Sequence, residues 1–380
     1  MSRIIIGADV VPTDKNRQHF IDGDMSKVLS KDLLDMFKSA DFVTVNLEVP
    51  LTDTVDKIKK SGPNLIAPTA TIAGYKDLNV DLVTGANNHI LDQNRSGFDS
   101  TIKTLEDAKI DYVGIGYTYE QAYETKIYEI GGKKIGFYAT CQHEYSWIQD
   151  YGFGANGYDP LESFDHLTEA KKKCDYLIVL YHAGIEHFRY VAPFDQKVCR
   201  KMIDKGADLI VMQHTHCVNC EEDYNGGKII YGQGNFIFEK SKEDCWQTGM
   251  LITLDIENDE FKIGYVPLDK YGEIIKIDET GSVMDGYFKR TEEIKDAQLI
   301  EDKYYKLGKE RINWYTDCCR GYYDSKIYRF FWKLSGEKLG NVLLKRQSRL
   351  MLMNYFQNPA HKELWENVLK HYAERENIEE

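Results

Sequence analysis

No apolar run in this sequence is long enough to cross a bilayer. Its most hydrophobic stretches, IIIG, YLIVLY and LIVM, fall far short of the ~18 residues a spanning helix needs. A basic segment followed by an apolar one is also missing. MSRIIIGADV runs straight into a strand pattern, so no signal peptide is expected. There is no disulfide framework either. The eight cysteines are scattered through 380 residues, and only Cys217/Cys220 and Cys318/Cys319 lie close together. That suits free thiols in a reducing cytoplasm. Positive charge is outnumbered, 48 Lys/Arg against 61 Asp/Glu: the formal net charge is −13, which argues against nucleic acid as a partner. Internal repeats and low-complexity tracts are absent. What remains, 42% hydrophobic and 29% charged residues, is ordinary for a globular chain of one large domain with an appendage, or of two domains.

The charge is uneven. Residues 303–349 hold 12 Lys/Arg against 4 Asp/Glu and carry +8, which leaves −21 on the rest. Ten aromatic residues lie in the same segment, among them Trp314, Phe331 and Trp332. Such a patch docks an acidic polymer, a membrane surface or, most simply, an acidic face of its own chain.

Along the chain, polar clusters recur where strand patterns end. Residues 3–8 form a strand that leads to Asp9, and a helix over 26–39, N-capped by Ser26, precedes the strand DFVTVN and then Glu48. The Lys-rich loop 52–68 offers Lys57, Lys59 and Lys60 to an anionic substrate, or merely to solvent. A helix at 69–78 and a strand at 80–84 bring in Asn87, Asn88, His89 and Asp92. A helix at 97–108, the strand DYVGIG and a hairpin around Gly131-Gly132 come next. The aromatic loop 142–160 has the length of a lid or substrate wall. After a helix at 161–173, YLIVLY ends at His182, with Glu186 four residues on. A helix at 193–205 fills the 32 residues between His182 and His214, the length of a β-α-β crossover, so neighbouring strands deliver both histidines to one edge.

The densest cluster is DLIVMQHTHCVNCEEDYNGGKIIYGQGNFIF, Asp208 to Phe238, read as strand, loop, strand. His214 and His216 are two apart. In an extended segment that spacing turns both imidazoles toward one point, and imidazole is the commonest metal-binding side chain. Cys217 and Cys220 form a CxxC beside them, read as buried thiols rather than a structural zinc site. Strands at 249–257 and 261–267 close the domain. The pattern turns helical beyond about 290, so a domain of residues 1–290 and a helical extension of 291–380 are expected. Five strand ends thus present Asp9, Glu48, Asn88/His89, His182/Glu186 and His214/His216. Carboxylate, amide and imidazole together suit Mn, Fe, Co or Zn.

These motifs carry a resemblance. DFVTVNLEVPLTD, DLVTGANNHILDQ with GFDSTIKTLEDAKIDYVGIG, HAGIE, and GADLIVMQHTHCVN with GQGNFIF are similar to the CapA (poly-γ-glutamate biosynthesis) capsule-synthesis family, a branch of the calcineurin-like metallophosphatases. The resemblance covers about residues 3–240. It implies an α/β fold, a four-layer α/β/β/α sandwich with the site at one edge of its two sheets. Glu48 would bridge two metals, Asn88, His182 and His214 would hold one, and Asp9 and His216 would belong to the other. His89 would be the general acid, acting with Asp9, Glu48 and Glu186, the last orienting a histidine. Asn46, Asn87, Asn235 and Lys60 would meet the substrate.

The sequence departs from the pattern at four points. Val11 stands where metallophosphatases usually have a histidine, Glu48 replaces Asp, Gln213 replaces Gly, and Thr215 replaces Pro. One or two divalent ions (Mn, Fe or Zn), or none, are therefore compatible with the residues. The expected activity is that of a metal-dependent hydrolase or transferase acting on a phosphoester, or on an amide of an acidic surface polymer. The alternatives are a metal-independent peptide epimerase and a non-catalytic scaffold in capsule assembly. The expected setting is cytoplasmic, beside membrane-associated capsule machinery.

Overall fold

The strand that begins the fold shows how the layers arise. β1 (Ser2–Val10) is buried from Ile4 onward. Side chains alternate across a strand, so Ile4 and Ile6 enter one hydrophobic cluster and Ile5 enters another. A strand that is apolar on both faces must be covered on both. In this computed structural model, which describes residues 1–60, 62–238, 242–319, 330–331, 334, 346–365 and 367–368, one face of β1 meets a second sheet and the other meets helices.

After β1 come α1 (Arg17–Asp22), α2 (Lys31–Ser39), β2 (Phe42–Leu47), α3 (Ile72–Asp77), β3 (Leu82–Thr84), α4 (Asn94–Ala108) and β4 (Asp111–Val113). Short β5 (Ile115–Gly116) and α5 (Tyr119–Tyr123) lead to a hairpin of β6 (Lys126–Ile130) and β7 (Lys133–Cys141). Then follow α6 (Ile148–Tyr151), β8 (Gly154–Ala155), α7 (Ser163–Lys171), β9 (Tyr176–His182), α8 (Pro193–Asp204) and β10 (Leu209–Gln213). The last strands are β11 (Glu221–Tyr224), β12 (Gly227–Ile230), β13 (Asn235–Ile237), β14 (Thr248–Glu257), β15 (Glu260–Asp269) and β16 (Lys276–Ile277), and α9 (Ser282–Glu293) follows them.

One sheet runs β16-β15-β14-β1-β2-β3-β4, with β13 also paired to β1, and the other runs β11-β12-β10-β9-β7-β6. β1 to β4 are mutually parallel, as are β7, β9, β10 and β12. Between the sheets, Ile4, Ile6 and Leu82 pack with Phe137, Ile178, Leu180 and Val211. Outside the first sheet, Val43 and Val45 meet Phe20 of α1, Leu33 and Phe37 of α2, and Tyr75 of α3. α7 and α8 bury Leu167, Val198 and Met202 beside β7, β9, β10 and β12. The result is the α/β/β/α sandwich, each large apolar side chain contributing roughly 1.5–3 kcal/mol.

Three local expectations are corrected. The helix expected from Ser26 starts at Lys31, because Leu29 bridges to Ile275 and holds the chain extended there. Ser26 does not cap that helix; its amide donates to the Asp24 side chain in a single turn at Met25–Lys27. The strand DYVGIG breaks at Gly114, where φ is +83° and a β-carbon would lie 2.7 Å from Ala86 Cβ and 2.8 Å from Ala139 Cβ. Loop 142–160 contains α6 and β8, and β8 pairs with β5.

The chain divides into two compact units. The first comprises Met1–Ile58 and Asn64–Asp296, so it includes the whole of α9. The second comprises Lys59–Pro63 and Ala297–Glu380. The second contains α10 (Ala297–Cys319) and α11 (Arg346–Gln357), and in it Tyr304 is buried and donates to Ala360 O at 3.0 Å. Most of the basic aromatic segment, including Trp332, lies outside the described residues.

Candidate metal centre

Parallel strands put their C-terminal ends at one sheet edge, a usual place for sites in α/β folds. β1 carries Asp9, which pairs in register with Asn46 of β2 on one side and Asn235 of β13 on the other. Glu48 directly follows β2, and the turn after β3 holds Asn87, Asn88, His89 and Asp92. In the facing sheet His182 ends β9 and pairs with Gln213, the last residue of β10, so the β-α-β reading holds.

Two ligand groups form here. Glu48, His182 and His214 each bring one donor atom to within 4.8 Å of the others, and Asp9, Glu48 and His216 do the same. Glu48 belongs to both. His182 Nε2 lies 3.0 Å from Asn88 Oδ1 and 3.5 Å from Glu48 Oε1, which adds the amide to the first group. In the second group His216 Nδ1 lies 3.8 Å from Asp9 Oδ2.

The two histidines after β10 do not converge by strand alternation. The strand stops at Gln213, and His214 and His216 take left-handed backbone conformations with φ of +91° and +57°. Such conformations are costly for residues with a β-carbon and persist only where the surroundings enforce them. The turn sends the rings to neighbouring groups, their centroids 6.2 Å apart. His216 also stacks on Trp246 at 4.3 Å.

Three residues expected to meet substrate are in fact buried supports. Asn46 donates to Asp9 Oδ1 at 2.7 Å and lies 3.3 Å from His182 Nδ1. Asn87 donates to Asn46 Oδ1 and Leu47 O, both at 2.9 Å, and accepts the His89 amide. Asn235 Oδ1 accepts from His216 Nδ1 at 2.8 Å, which leaves the Nε2 lone pair of that ring free for a ligand. All three are 0% exposed. Lys60 is buried and belongs to the second unit.

His89 sits at the edge of the cluster, 9% exposed. Its Nδ1 faces Asp92 Oδ2 at 2.6 Å, and the same oxygen accepts the Leu65 amide at 2.6 Å. That pairing sets the orientation of the ring. Glu186 is exposed. Desolvation pushes its carboxyl up, but the charges of His216, His214, His187 and His89 prevail and hold it at about 2.

Burial governs the remaining titrations. It drives His182 well below its ordinary value, with His214, His216 and His89 acting in the same direction. It brings His216 down to about 3, against the pull of Glu186. It raises Asp9 to about 6, against the Asn46 hydrogen bond and the charge of His214.

Neutral imidazoles beside carboxylates are what a borderline divalent ion requires. Two buried atoms, Asp9 Oδ2 and His214 Nδ1, make no hydrogen bond. A cation in each group would satisfy them, so the residues present fit the metal that the resemblance implies. A third cluster, His187, Glu243 and Cys245, fits less well. Trp246 Nε1 donates to His187 Nε2 at 3.2 Å, which puts the ring proton on Nδ1, the atom facing Glu243.

The sequence reading missed Glu144. It lies three residues past β7, with its Oε2 3.6 Å from His214 Nε2. The rule that located Asp9 and Glu48, a carboxylate just beyond a strand, applies equally to it.

Two sheets thus meet with a shared set of candidate ligand atoms at one edge. The chain belongs to the bacterial capsule synthesis protein PGA_cap family, whose pattern matches residues 3–240. It is 29% identical over 213 residues to the PGA biosynthesis protein CapA of Bacillus subtilis (strain 168), covering 54% of this chain and 55% of that one. It is 27% identical over 215 residues to the capsule biosynthesis protein CapA of Bacillus anthracis, covering 53% and 52%. The chain therefore spans about half the length of these curated relatives. A 5′-nucleotidase precursor from Thermus thermophilus, a solved structure, aligns over 73% of this chain and 54% of its own, with TM-score 0.40 and 12% identity. Among the described residues no helix is long and apolar enough to cross a membrane.

Proposed function

We propose that the chain is a metal-dependent hydrolase or transferase acting on a phosphoester, or on an amide of an acidic surface polymer. One observation carries this reading: Glu48 is shared between two groups of ligand atoms, each completed by buried histidine. Glu48, His182, His214 and Asn88 would hold one ion, and Asp9, Glu48 and His216 the other. Bound ions would lower the pKa of water and polarise the bond to be broken.

The other side chains have roles that follow from their positions. Asn46 and Asn87 hold Asp9, His182 and the His89 turn in place. His89, set by Asp92, protonates the departing oxygen or nitrogen. The substrate class comes from the relatives, named for PGA and capsule biosynthesis. An anionic polymer such as poly-γ-glutamate suits a centre whose charge becomes positive only when metal is present. The described cysteines are free thiols, and on that ground we place the chain in the cytoplasm, supplying or trimming polymer for the capsule machinery.

The test is metal analysis of purified protein, then thermal denaturation with added Mn, Fe or Zn, and assays on a phosphodiester, a phosphomonoester and poly-γ-glutamate. Bound metal, stabilisation by added metal and turnover of one of these substrates are expected. Protein free of metal and indifferent to it would end this reading. Metal-independent deuterium uptake at a peptide Cα would then favour the epimerase alternative.

A further inference from the structure

We propose that Glu144 is a positioning residue for His214. Its carboxylate accepts the ring Nε2–H and keeps the Nδ1 lone pair turned toward the candidate metal centre. The inference takes its purpose from the metal reading above, but its first test does not need metal.

The argument begins with the two nitrogens of His214. A neutral imidazole carries one proton, and its partners decide which nitrogen holds it. His214 Nε2 faces Glu144 Oε2 at 3.6 Å, an ion-pair distance longer than a hydrogen bond. Nδ1 is buried without a hydrogen bond. A proton on Nε2 points at a carboxylate, whereas Nδ1 makes no hydrogen bond. Electrostatics therefore select the Nε2–H tautomer, and a small rotation that brings the pair to ~2.9 Å completes the hydrogen bond. Nδ1 is then left with its lone pair on a ring that belongs to the group with Glu48 and His182. A carboxylate behind a histidine ligand fixes its tautomer and raises its basicity in many metal sites.

Glu144 is held where this role requires it. Before it, the Gln142 amide donates to His182 O at 3.0 Å, and the Gln142 side chain clamps Gly184 with bonds of 3.0 and 3.1 Å. After it, Trp147 Nε1 donates to Cys141 O at 3.2 Å and Ala155 N to Ser146 O at 2.8 Å. The side chain is only 10% exposed. β7 lies beside β9, so the loop that bears Glu144 passes next to the strand that delivers His182.

The first experiment uses the full chain with 15N-labelled histidine and no metal. Long-range proton–nitrogen correlation should show His214 as the Nε2–H tautomer. Glu144→Ala should shift the ring to a mixture or to Nδ1–H. Glu144→Gln, which retains an acceptor oxygen, should preserve the tautomer. Calorimetric titration with Zn or Mn should then give a dissociation constant about 10–100-fold weaker for Glu144→Ala and a smaller change for Glu144→Gln. A wild-type spectrum with Nδ1–H overturns the proposal even if no variant folds, as does a tautomer identical in wild type and Glu144→Ala. A tautomer that depends on Glu144 in a protein that binds no metal would uphold this inference and end the metal reading instead.

Discussion

Gln213 Nε2 donates to the Gly7 carbonyl at 3.0 Å and so ties the strand that delivers His214 to the strand that carries Asp9. The β1 ladder is irregular between Ile6 and Asp9, and the Gly7 carbonyl is bonded by this side chain. Gln213 also donates to Gln233 Oε1 at 3.2 Å, and Gln233 in turn donates to Ile6 O at 2.8 Å and Met250 O at 3.2 Å. Two buried glutamines therefore set the spacing of the sheets directly beneath the two ligand groups. Glycine, the usual residue before such a histidine pair, has no side chain with which to make this link.

Replacing Gln213 by Leu should leave the Gly7 carbonyl buried without its partner. A loss of roughly 1–3 kcal/mol in unfolding free energy is expected from that kind of change. Urea denaturation measures it, and calorimetry should show weaker metal binding as the sheets lose their registration. An unchanged denaturation midpoint would mean that packing alone sets the spacing.

Glu48→Ala should abolish both ion sites, while His216→Ala should spare the group made by Glu48, His182, His214 and Asn88. Elemental analysis after dialysis against limiting Zn separates the two variants. One full equivalent of metal on Glu48→Ala would show that the carboxylate is not shared.

Acid should destabilise the metal-free protein, with a sign that differs between side chains. His216 has a folded pKa of about 3, below its unfolded ~6.5. The unfolded chain takes up its proton first, so stability falls as pH drops through 6.5. His182, also held well below its ordinary value by burial, acts the same way. Asp9 has a folded pKa of about 6, above its ordinary 3.8, so its contribution is complete below 3.8 and fades as pH rises through 6. Between pH 4.5 and 6 the histidines and Asp9 therefore act on stability with opposite sign. Asp9→Asn should steepen the acid loss, and His216→Gln should flatten it. Denaturation of EDTA-treated protein across that range checks both; an Asp9→Asn curve shallower than wild type would reverse the assignment.

Asp92→Asn should keep the fold and the metal but lose the oriented imidazole. A fall in kcat/KM of about 10²-fold is expected, with about 10²–10⁴ for His89→Asn. Steady-state kinetics on whichever substrate is turned over, with metal content measured on the same samples, provides the check. Full activity in His89→Asn would remove it as the acid.

Much of the sandwich was legible in the chain because strand and helix periods are local. IIIG and YLIVLY announce strands covered on both faces, and the 32 residues from His182 to His214 announce the crossover between them. The polar residues at strand ends were legible for the same reason. The roles of several were not. Asn46, Asn87 and Asn235 have the composition of a substrate surface, yet they are buried and bonded to Asp9, Leu47 and His216 from other strands.

By itself the sequence determined the layer pattern, the family and the set of donor atoms, since each follows from residue type and short-range order. Which donors share a point was decided only by tertiary structure. Glu48 joins two groups, His214 and His216 turn apart through left-handed backbone, and Glu144 arrives behind His214 from a separate strand. These are relations between segments distant along the chain. The packing of two sheets creates them, and no local period encodes that packing.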